Sequence, residues 1–265
     1  MVLFRREFRR GLKAAAVWWA VMAGLIWVTM SVYGQFAEQQ ENLKKLLSTY
    51  PDSVKAVFGM DRVDMTTPIG FYAVEVYFMV ALLGAVYAVT VAGPMLVKEE
   101  NDKTAEFLLA KPISRTAVVT EKLLAVGVHL VLFDVAAAVA SIVGFRIAGG
   151  GWDAESLFLL MLGAWLLHAT FAAVAFLLSA ALRKSRHIVS ASMAVVFVTY
   201  FLGVVSDLSE DLKALRYVSP FEYVDAADLL AGRSIDAAAV AVLGAVSIGC
   251  MALAYFRYRR KDIAA

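Results

Sequence analysis

The chain has 265 residues, of which 61% are hydrophobic and 18% are charged, with a net charge of +2 and a mean hydropathy of +0.72. This apolar content exceeds the ~45–50% that is typical of soluble domains, so a soluble globular protein is excluded, and nothing in the small net charge indicates a nucleic-acid partner. The single cysteine, Cys250, excludes an intrachain disulfide and a cysteine-based metal site.

Six apolar segments are each long enough to cross a bilayer, whose ~30 Å hydrocarbon core needs about 20 helical residues. Five of them contain no charged residue, at 14–37, 76–97, 156–182, 188–206 and 237–256, and the remaining one, at 123–145, is interrupted only by Asp134. They show almost no polar face at helical period, which a soluble helical bundle would have. The sequence therefore predicts an all-α membrane protein that forms one domain over residues 1–265. We place its spans at about 14–34, 69–97, 120–146, 156–182, 188–206 and 236–256.

An even number of spans places both chain termini on one face of the membrane. Seventeen of the 25 Lys and Arg residues would lie on that face, so the positive-inside rule predicts an N-in/C-in topology. Ahead of the first span, Phe4 and Phe8 lie one turn apart among four arginines. This pattern predicts an amphipathic N-terminal helix in the inner headgroup layer, although a plain basic anchor explains the same residues.

Two connections on the other face, at about residues 35–67 and 207–236, are too long for simple turns. Apolar residues recur in both at helical spacing, interrupted by Pro51 and Pro220, which predicts surface helices. Two roles fit such helices: a lid over a transport pathway, or packing over the ends of the spans.

The segment from Lys98 to Lys122 is a dense run of charges between the second and third spans. Asp102 is placed to cap a short amphipathic helix, Pro112 disfavours helix at the residue before it, and Ser114 can cap the next helix. The pattern predicts either a docking lever joined stiffly to the third span or a helix lying flat on the lipid. The apolar face of the short helix consists of Ala105, Leu108 and Leu109.

The string E-x-x-x-x-T-x-E-x-L-L-A-x-P-I-S-R in this segment, followed by a lysine at the start of the next span, resembles the signature of ABC-2 type transporter permeases. YPDSVKAVFG and SPFEY in the outer connections and the RYRRKDI tail are also similar to that family, although Lys261 departs from its commoner Arg-Arg-Asp tail. The resemblance covers nearly the whole chain. It assigns ATPase coupling to Glu99, Glu100, Thr104, Ala105, Glu106, Leu108, Leu109, Pro112, Ser114 and Arg115.

This resemblance implies the permease subunit of an ABC exporter in the plasma or inner membrane of a prokaryote. Such permeases pair as two copies or two homologues, and each docks one separate ATPase subunit through the helix after the second span. The chain has no G-x-x-x-x-G-K-[ST] loop that would hold phosphates. We therefore expect ATP and Mg²⁺ on the partner, and neither cofactor nor metal on this chain.

Polar side chains inside a span are costly and need a partner or a purpose. At ~1.5 Å per residue, Asp134 and His168 each lie close to the midplane of consecutive antiparallel spans, where they could meet. His129 lies on a different face of the third span, and Glu75 lies near the outer end of the second. Together they predict a proton or cation relay, a substrate contact, or interhelical hydrogen bonds worth about 0.6 kcal/mol each.

By the same resemblance, the pathway forms between two permeases, with the second and fifth spans contributing to it. Aromatic and methionine side chains suit an amphipathic substrate, but such residues also commonly face lipid or neighbouring helices. The candidates are Phe78, Met79, Phe197, Tyr200 and Phe201.

Two other function classes fit the sequence less well than a permease does. An intramembrane enzyme would need convergent catalytic groups, and neither H-E-x-x-H nor G-x-S-x-G occurs, so no catalytic residue is predicted. A secondary carrier commonly shows repeated halves with matching helix breaks, whereas Pro94 has no counterpart in the second half of the chain. A carrier or an accessory scaffold that uses Asp134 and His168 is the alternative function.

Overall fold

The structure is a computed structural model that describes residues 2–38, 49, 62–104, 106, 113–182, 184–208 and 210–261. These residues form helices and their connections, with no strand among them. Six helices in the described part are long and apolar enough to cross a bilayer, which confirms the predicted all-α fold with six spans. Their bounds are α1 Val2–Glu38, α2 Pro68–Ala92, α3 Arg115–Ile147, α4 Ala154–Ala181, α5 Ser185–Leu208 and α6 Ala237–Arg260.

Polar residues fix where four of the spans begin. Thr67 accepts a hydrogen bond from a backbone N–H of the first turn of α2, and Pro68 follows at a position where its missing N–H costs nothing. Ser114, Asp153 and Asp236 cap α3, α4 and α6 in the same way. Because the first N–H groups of a helix have no partner within it, these caps set the starting residue of each span.

The first helix is longer than the span predicted from the sequence. Its 37 residues extend for ~55 Å at ~1.5 Å per residue, well beyond a ~30 Å hydrocarbon core. The predicted N-terminal helix is the first part of α1 and is not a separate element. The Phe8 ring lies 5.2 Å from His129 of α3, and Glu121 accepts the N–H groups of Leu3 and Phe4 at 2.9 Å each. This end of α1 therefore packs against α3 instead of facing only lipid.

The six spans differ in how much of their surface the rest of the chain covers. In their most apolar stretches, 61% of the residues are buried in α4 and 56% in α2, but only 22% in α1 and α5 and 17% in α6. Helices α2 and α4 thus form the centre of the bundle, and the rest of the chain leaves most of the surface of α1, α5 and α6 uncovered. Within α2, Tyr72–Val76 form a π-helical segment.

The second span ends earlier than predicted. We expected it to reach residue 97, but α2 ends at Ala92 and is followed by a tight turn that contains Pro94, a residue without a backbone N–H. In that turn the Leu96 N–H donates to the Ser179 hydroxyl of α4 at 2.9 Å, so the interrupted backbone is held inside the bundle. A short helix, Lys98–Asn101, follows directly.

The second outer connection forms three short helices over the ends of the spans. These are two 3₁₀ helices, Glu210–Val218 and Glu222–Val224, and an α-helix, Ala226–Gly232. Tyr77 of α2 donates its hydroxyl hydrogen to the Val224 carbonyl at 2.9 Å, which fixes the connection against the bundle. The helix predicted in the first outer connection falls almost entirely on residues 39–61, of which the structure describes only residue 49.

Both ends of the chain lie at the same end of the bundle. Lys261 donates to the Leu182 carbonyl at 3.0 Å, and Arg115 donates to the Lys261 carbonyl at 2.7 Å, while the start of α1 contacts Glu121 of α3. We call this end, which also carries the segment after α2, the terminal face. The end that carries residues 207–236 is the opposite face.

Candidate functional site

The signature segment is described only at its two ends. Ala105, Leu108, Leu109 and Pro112 lie outside the described residues, so their predicted apolar face stays a prediction. Glu106 is exposed. The predicted coupling helix therefore has described flanks and an undescribed centre.

Asp102 does not begin a helix as expected. It lies at the carboxyl end of Lys98–Asn101, and its carboxylate lies 3.8 Å from Arg10 of α1. The next residue, Lys103, has a left-handed φ of 53°, which reverses the chain direction, and the exposed Thr104 then donates its N–H to the Glu99 carbonyl at 2.8 Å. At the far end of the segment, Ser114 caps α3 through the N–H of residue 117 as expected.

A charge network with buried members on α1 and α3 and a half-exposed arginine, Arg6, holds the near end of the segment against these two helices. Glu7 accepts from Lys98 and from Arg6, at 2.8 Å each. Arg6 also contacts Glu99 at 2.8 Å, and Glu99 pairs with Lys122, which donates in addition to a backbone carbonyl of the turn after α2. The side chains of Glu7 and Lys122 are completely buried. We call Arg6, Glu7, Lys98, Glu99 and Lys122 the charge network.

Each of the two carboxylates in the network, Glu7 and Glu99, has two cationic partners. A buried ion loses several kcal/mol of hydration, which close pairing can offset, whereas removal of one partner costs about 3–5 kcal/mol. The arrangement therefore fixes the Lys98–Asn101 helix rigidly against two spans. Glu99 therefore faces helices of its own chain, so any part of Glu99 in coupling acts through those spans.

The chain's tail closes the same region from the other side. Lys261 pairs with Glu100 at 2.7 Å, and both side chains are less than a tenth exposed. Arg115 donates to the carbonyls of Arg259 and Lys261 at 3.0 and 2.7 Å. Glu100 and Arg115, both predicted coupling residues, thus connect the segment to the end of α6.

Sequence reasoning assigned Glu99 to coupling but missed its partners. It treated Arg6 and Lys98 as positive-inside residues and did not consider Glu7. A signal was present, because Glu7 is the only acid among four arginines ahead of the first span. An isolated acid in a basic membrane-proximal segment indicates a buried ion pair.

Within the bilayer region, Asp134 and His168 contact each other. The Nδ1 atom of His168 lies 2.8 Å from Asp134 Oδ1, and its Nε2 atom lies 3.2 Å from the carbonyl oxygens of both Val80 and Ala81. The imidazole fits because a Cβ at Gly84 would lie only 2.1 Å from Nε2. The pair thus joins α2, α3 and α4 at one point.

The surroundings of His168 offer oxygen atoms to both sides of its ring. A neutral imidazole has one N–H donor and one acceptor nitrogen, whereas both nitrogens of His168 face oxygens, of Asp134 on one side and of Val80 and Ala81 on the other. The second oxygen, Asp134 Oδ2, is buried without a partner among the described residues.

The other two intramembrane candidates do not join this pair. His129 Nε2 lies 3.2 Å from the Phe8 carbonyl of α1 and its Nδ1 lies 3.5 Å from the Tyr87 hydroxyl, so His129 connects α1, α2 and α3 nearer the terminal face. Glu75 is half-buried and makes no hydrogen bond or ion pair within the described ranges. The structure therefore does not link the four residues into one relay.

Three of the predicted pathway residues lie together. The rings of Phe78 and Tyr200 are 5.5 Å apart, and Phe201 lies 5.5 Å from Tyr200. Phe197 is 41% exposed and makes no ring contact in the described part of the chain, and Met79 is half-buried. Phe221 of the outer connection, which sequence reasoning did not single out, completes the cluster at 5.5 Å from Tyr200.

The comparisons with known proteins agree with this architecture. The sequence model of a family described as "ABC-2 family transporter protein" matches residues 1–263. No similar sequence was found among curated proteins. Because the match covers almost the whole chain, which has six membrane-spanning helices, the chain belongs to the ABC-2 family of transporter proteins and is a membrane permease component of an ABC transporter.

Proposed function

We propose that residues 1–265 form one permease domain of an ABC exporter in the plasma or inner membrane of a prokaryote, and that a separate ATPase subunit drives it. ATP and Mg²⁺ would then bind that subunit, since this chain has no phosphate-binding G-x-x-x-x-G-K-[ST] loop. A second permease copy or homologue would cover the helices that this chain leaves most exposed, α1, α5 and α6. The terminal face would be cytoplasmic, as its excess of basic residues favours.

The observation that carries the proposal is the charge network. It lies directly before the signature segment and binds the Lys98–Asn101 helix to α1 through Glu7 and to α3 through Lys122. A buried network of this kind is rigid, because separating its members would expose unpaired charges to an apolar interior. A push on the segment would therefore move α1, α3 and the end of α2 together.

The far end of the segment provides a second connection. Ser114 is the N-cap of α3, so the far end of the segment leads directly into that span. Arg115 and Glu100 contact the tail after α6. An ATPase that displaces the segment would thus act on four of the six spans. The alternative, a carrier that uses the Asp134–His168 pair, is supported by the unpartnered Asp134 oxygen.

The decisive experiment is assembly and ATP hydrolysis with the candidate ATPase in lipid vesicles. We compare the wild type with Leu108→Asp/Leu109→Asp, which places charge on the predicted apolar docking face. Leu208→Asp/Leu212→Asp, on exposed residues of the opposite face, is the matched control. We expect the first variant to lose the complex and vesicle-dependent hydrolysis at unchanged expression, and the control to keep both. Normal assembly and hydrolysis in the first variant would contradict the proposal and favour a carrier mechanism at Asp134 and His168.

A further inference from the structure

A cavity of about 110 Å³ opens between the bundle and the outer connection, at the opposite face. Its walls come mainly from α2, from α5 and from residues 221–227 of the outer connection. A site for a complete drug-sized molecule has about 300–1,000 Å³, so this cavity fits one end of a ligand. The lining residues that matter here are Phe78, Tyr200, Phe221, Asp207, Glu222 and Asp225.

One side of the cavity is aromatic. Tyr200 packs against Phe78 and against Phe221, at 5.5 Å between ring centroids in each case, and Phe78 is 39% exposed although it lies on a central helix. The faces of aromatic rings carry partial negative charge and attract cations, most strongly where water is partly excluded. An uncharged apolar ligand would need only this aromatic wall for binding.

The other side of the cavity is acidic. Asp225 pairs with Arg62 at 3.0 Å, but the carboxylates of Asp207 and Glu222 make no hydrogen bond or ion pair within the described residues, although both residues line the cavity. Burial, together with the neighbouring Asp207 and Asp225, raises the pKa of Glu222 to about 7. Carboxylates placed in an apolar wall without a protein partner are costly, which a ligand cation would offset.

A second polar group beside Glu222 also lacks a partner. The Ser219 side chain is completely buried, and its hydroxyl makes no hydrogen bond among the described residues. A Cβ at Gly203 would lie 2.8 Å from Glu222 Oε1 and 2.9 Å from Ser219 Oγ, so both oxygens pack closely against the glycine backbone of α5. Two neighbouring oxygen atoms that have no donor within the described residues leave acceptor capacity unused at the edge of the cavity.

The chemistry excludes some ligand classes. Among the residues that the structure describes, no group of three or more His, Cys, Asp and Glu side chains is placed to hold a metal ion. An anion would be repelled, because the carboxylates around the cavity outnumber the arginines. The charged and titratable groups that face Glu222 from the packed elements are Asp207, Asp225, Asp228, Arg62, Arg216, Tyr77 and Tyr200.

We propose that this cavity binds the positively charged end of a hydrophobic organic cation, and that such cations are substrates of the permease. The aromatic wall would receive the alkylated nitrogen, and Asp207 and Glu222 would neutralise it. The substrate part of this inference rests on the proposed transport function. The binding part does not, because binding is measured without ATP.

The probe is benzyltrimethylammonium, titrated calorimetrically into the purified full-length permease in lipid nanodiscs at pH 8. Benzyl alcohol and benzenesulfonate serve as its neutral and anionic counterparts. We expect saturable binding of the cation alone, weakened at least tenfold in Asp207→Asn/Glu222→Gln. The control Asp211→Asn/Glu155→Gln removes the same charge from exposed positions of the opposite face and should bind as the wild type does.

Two further measurements keep the result unambiguous. Affinity for the cation should rise between pH 6 and pH 8, since Glu222 ionises through about pH 7, and this rise should disappear in Glu222→Gln. Phe78→Leu, which keeps an apolar side chain but removes the ring, should weaken binding severalfold even if the acidic double variant does not fold.

Absence of saturable binding, or equal weakening by the acidic variant and its control, would overturn the cavity proposal. If the permease assembles with the ATPase and stimulates hydrolysis yet does not bind the probe, only the cavity proposal fails. If the probe binds and the acidic variant abolishes this, while no ATPase assembles, the proposed transport function fails and the site remains. Specific binding without probe-stimulated ATP hydrolysis in the assembled complex would overturn the substrate assignment.

Discussion

At the terminal face the buried carboxylates of Glu7 and Glu99 each contact two cations, whereas at the opposite face Asp207 and Glu222 line a cavity and contact none among the described residues. Both regions place acids against apolar spans, so their hydration is reduced in both. The difference is in what compensates that loss. Carboxylates that are paired by the protein's own cations make the structure around them rigid. Carboxylates that have no partner in the chain would instead bind a cation from solution.

The Asp134–His168 pair lies between these two cases. One oxygen of Asp134 is paired with the imidazole, and the other has no partner in the described part of the chain. The three acidic sites therefore differ in how much their stability depends on a partner within the chain, and substitution of that partner measures this dependence.

The largest effect is expected at Lys122, whose side chain is completely buried. Lys122→Met keeps the length of the side chain but leaves Glu99 with only Arg6, which should lower the free energy of unfolding by about 3–5 kcal/mol. Thermal unfolding of the purified permease and the yield of monodisperse protein would measure this. The exposed Lys13→Met is the control for loss of a lysine on the same face.

The double variant Glu99→Gln/Lys122→Met sharpens the same comparison. It removes the buried acid together with its cation, so we expect it to recover most of the stability that Lys122→Met loses. If the single and double variants are equally unstable, Lys122 acts through its hydrogen bond to the backbone after α2 and not through Glu99.

A smaller loss is expected in the bilayer region. His168→Phe leaves the buried Asp134 without its partner, which should cost about 1–3 kcal/mol. Asp134→Asn should cost less than about 1 kcal/mol, since the carboxamide N–H can donate to His168 Nδ1 while Nε2 donates to the backbone. Unfolding of both variants in the same lipid or detergent tests this. An equally large loss in Asp134→Asn would show that the pair is a true ion pair.

The sequence predicted the spans well because a 20-residue apolar run in a membrane has essentially one solution, an internally hydrogen-bonded helix. It also placed Asp134 and His168 at equal depth on neighbouring helices, since depth follows from the rise per residue. It did not predict that α2 ends at Ala92, although Pro94 was noted. Whether a proline kinks or ends a helix depends on partners elsewhere, here Ser179.

The two acidic regions were harder to predict for the same physical reason. Glu7 and Glu99 are separated by 92 positions, and Phe78, Tyr200 and Phe221 come from three different elements. Helical periodicity indicates which face a residue occupies, but it carries no information on which helices become neighbours. The charge network and the cavity therefore depend on the packing of the bundle, while the caps at Ser114 and Asp153 depend only on local sequence.

The smallest effect on stability is expected at Arg62, yet this substitution separates the two regions most clearly. Arg62 forms exposed ion pairs with Asp225 and Asp228, and such pairs contribute at most about 1 kcal/mol. Arg62→Gln should therefore leave the unfolding transition almost unchanged. It also removes a cation that competes for the acidic wall, so at pH 8 we expect it to bind benzyltrimethylammonium severalfold more tightly. Unchanged or weaker binding, measured by the same calorimetric titration, would mean that Arg62 orders the cavity more than it neutralises it. The opposite face would then resemble the terminal face, where a pairing cation serves the structure itself.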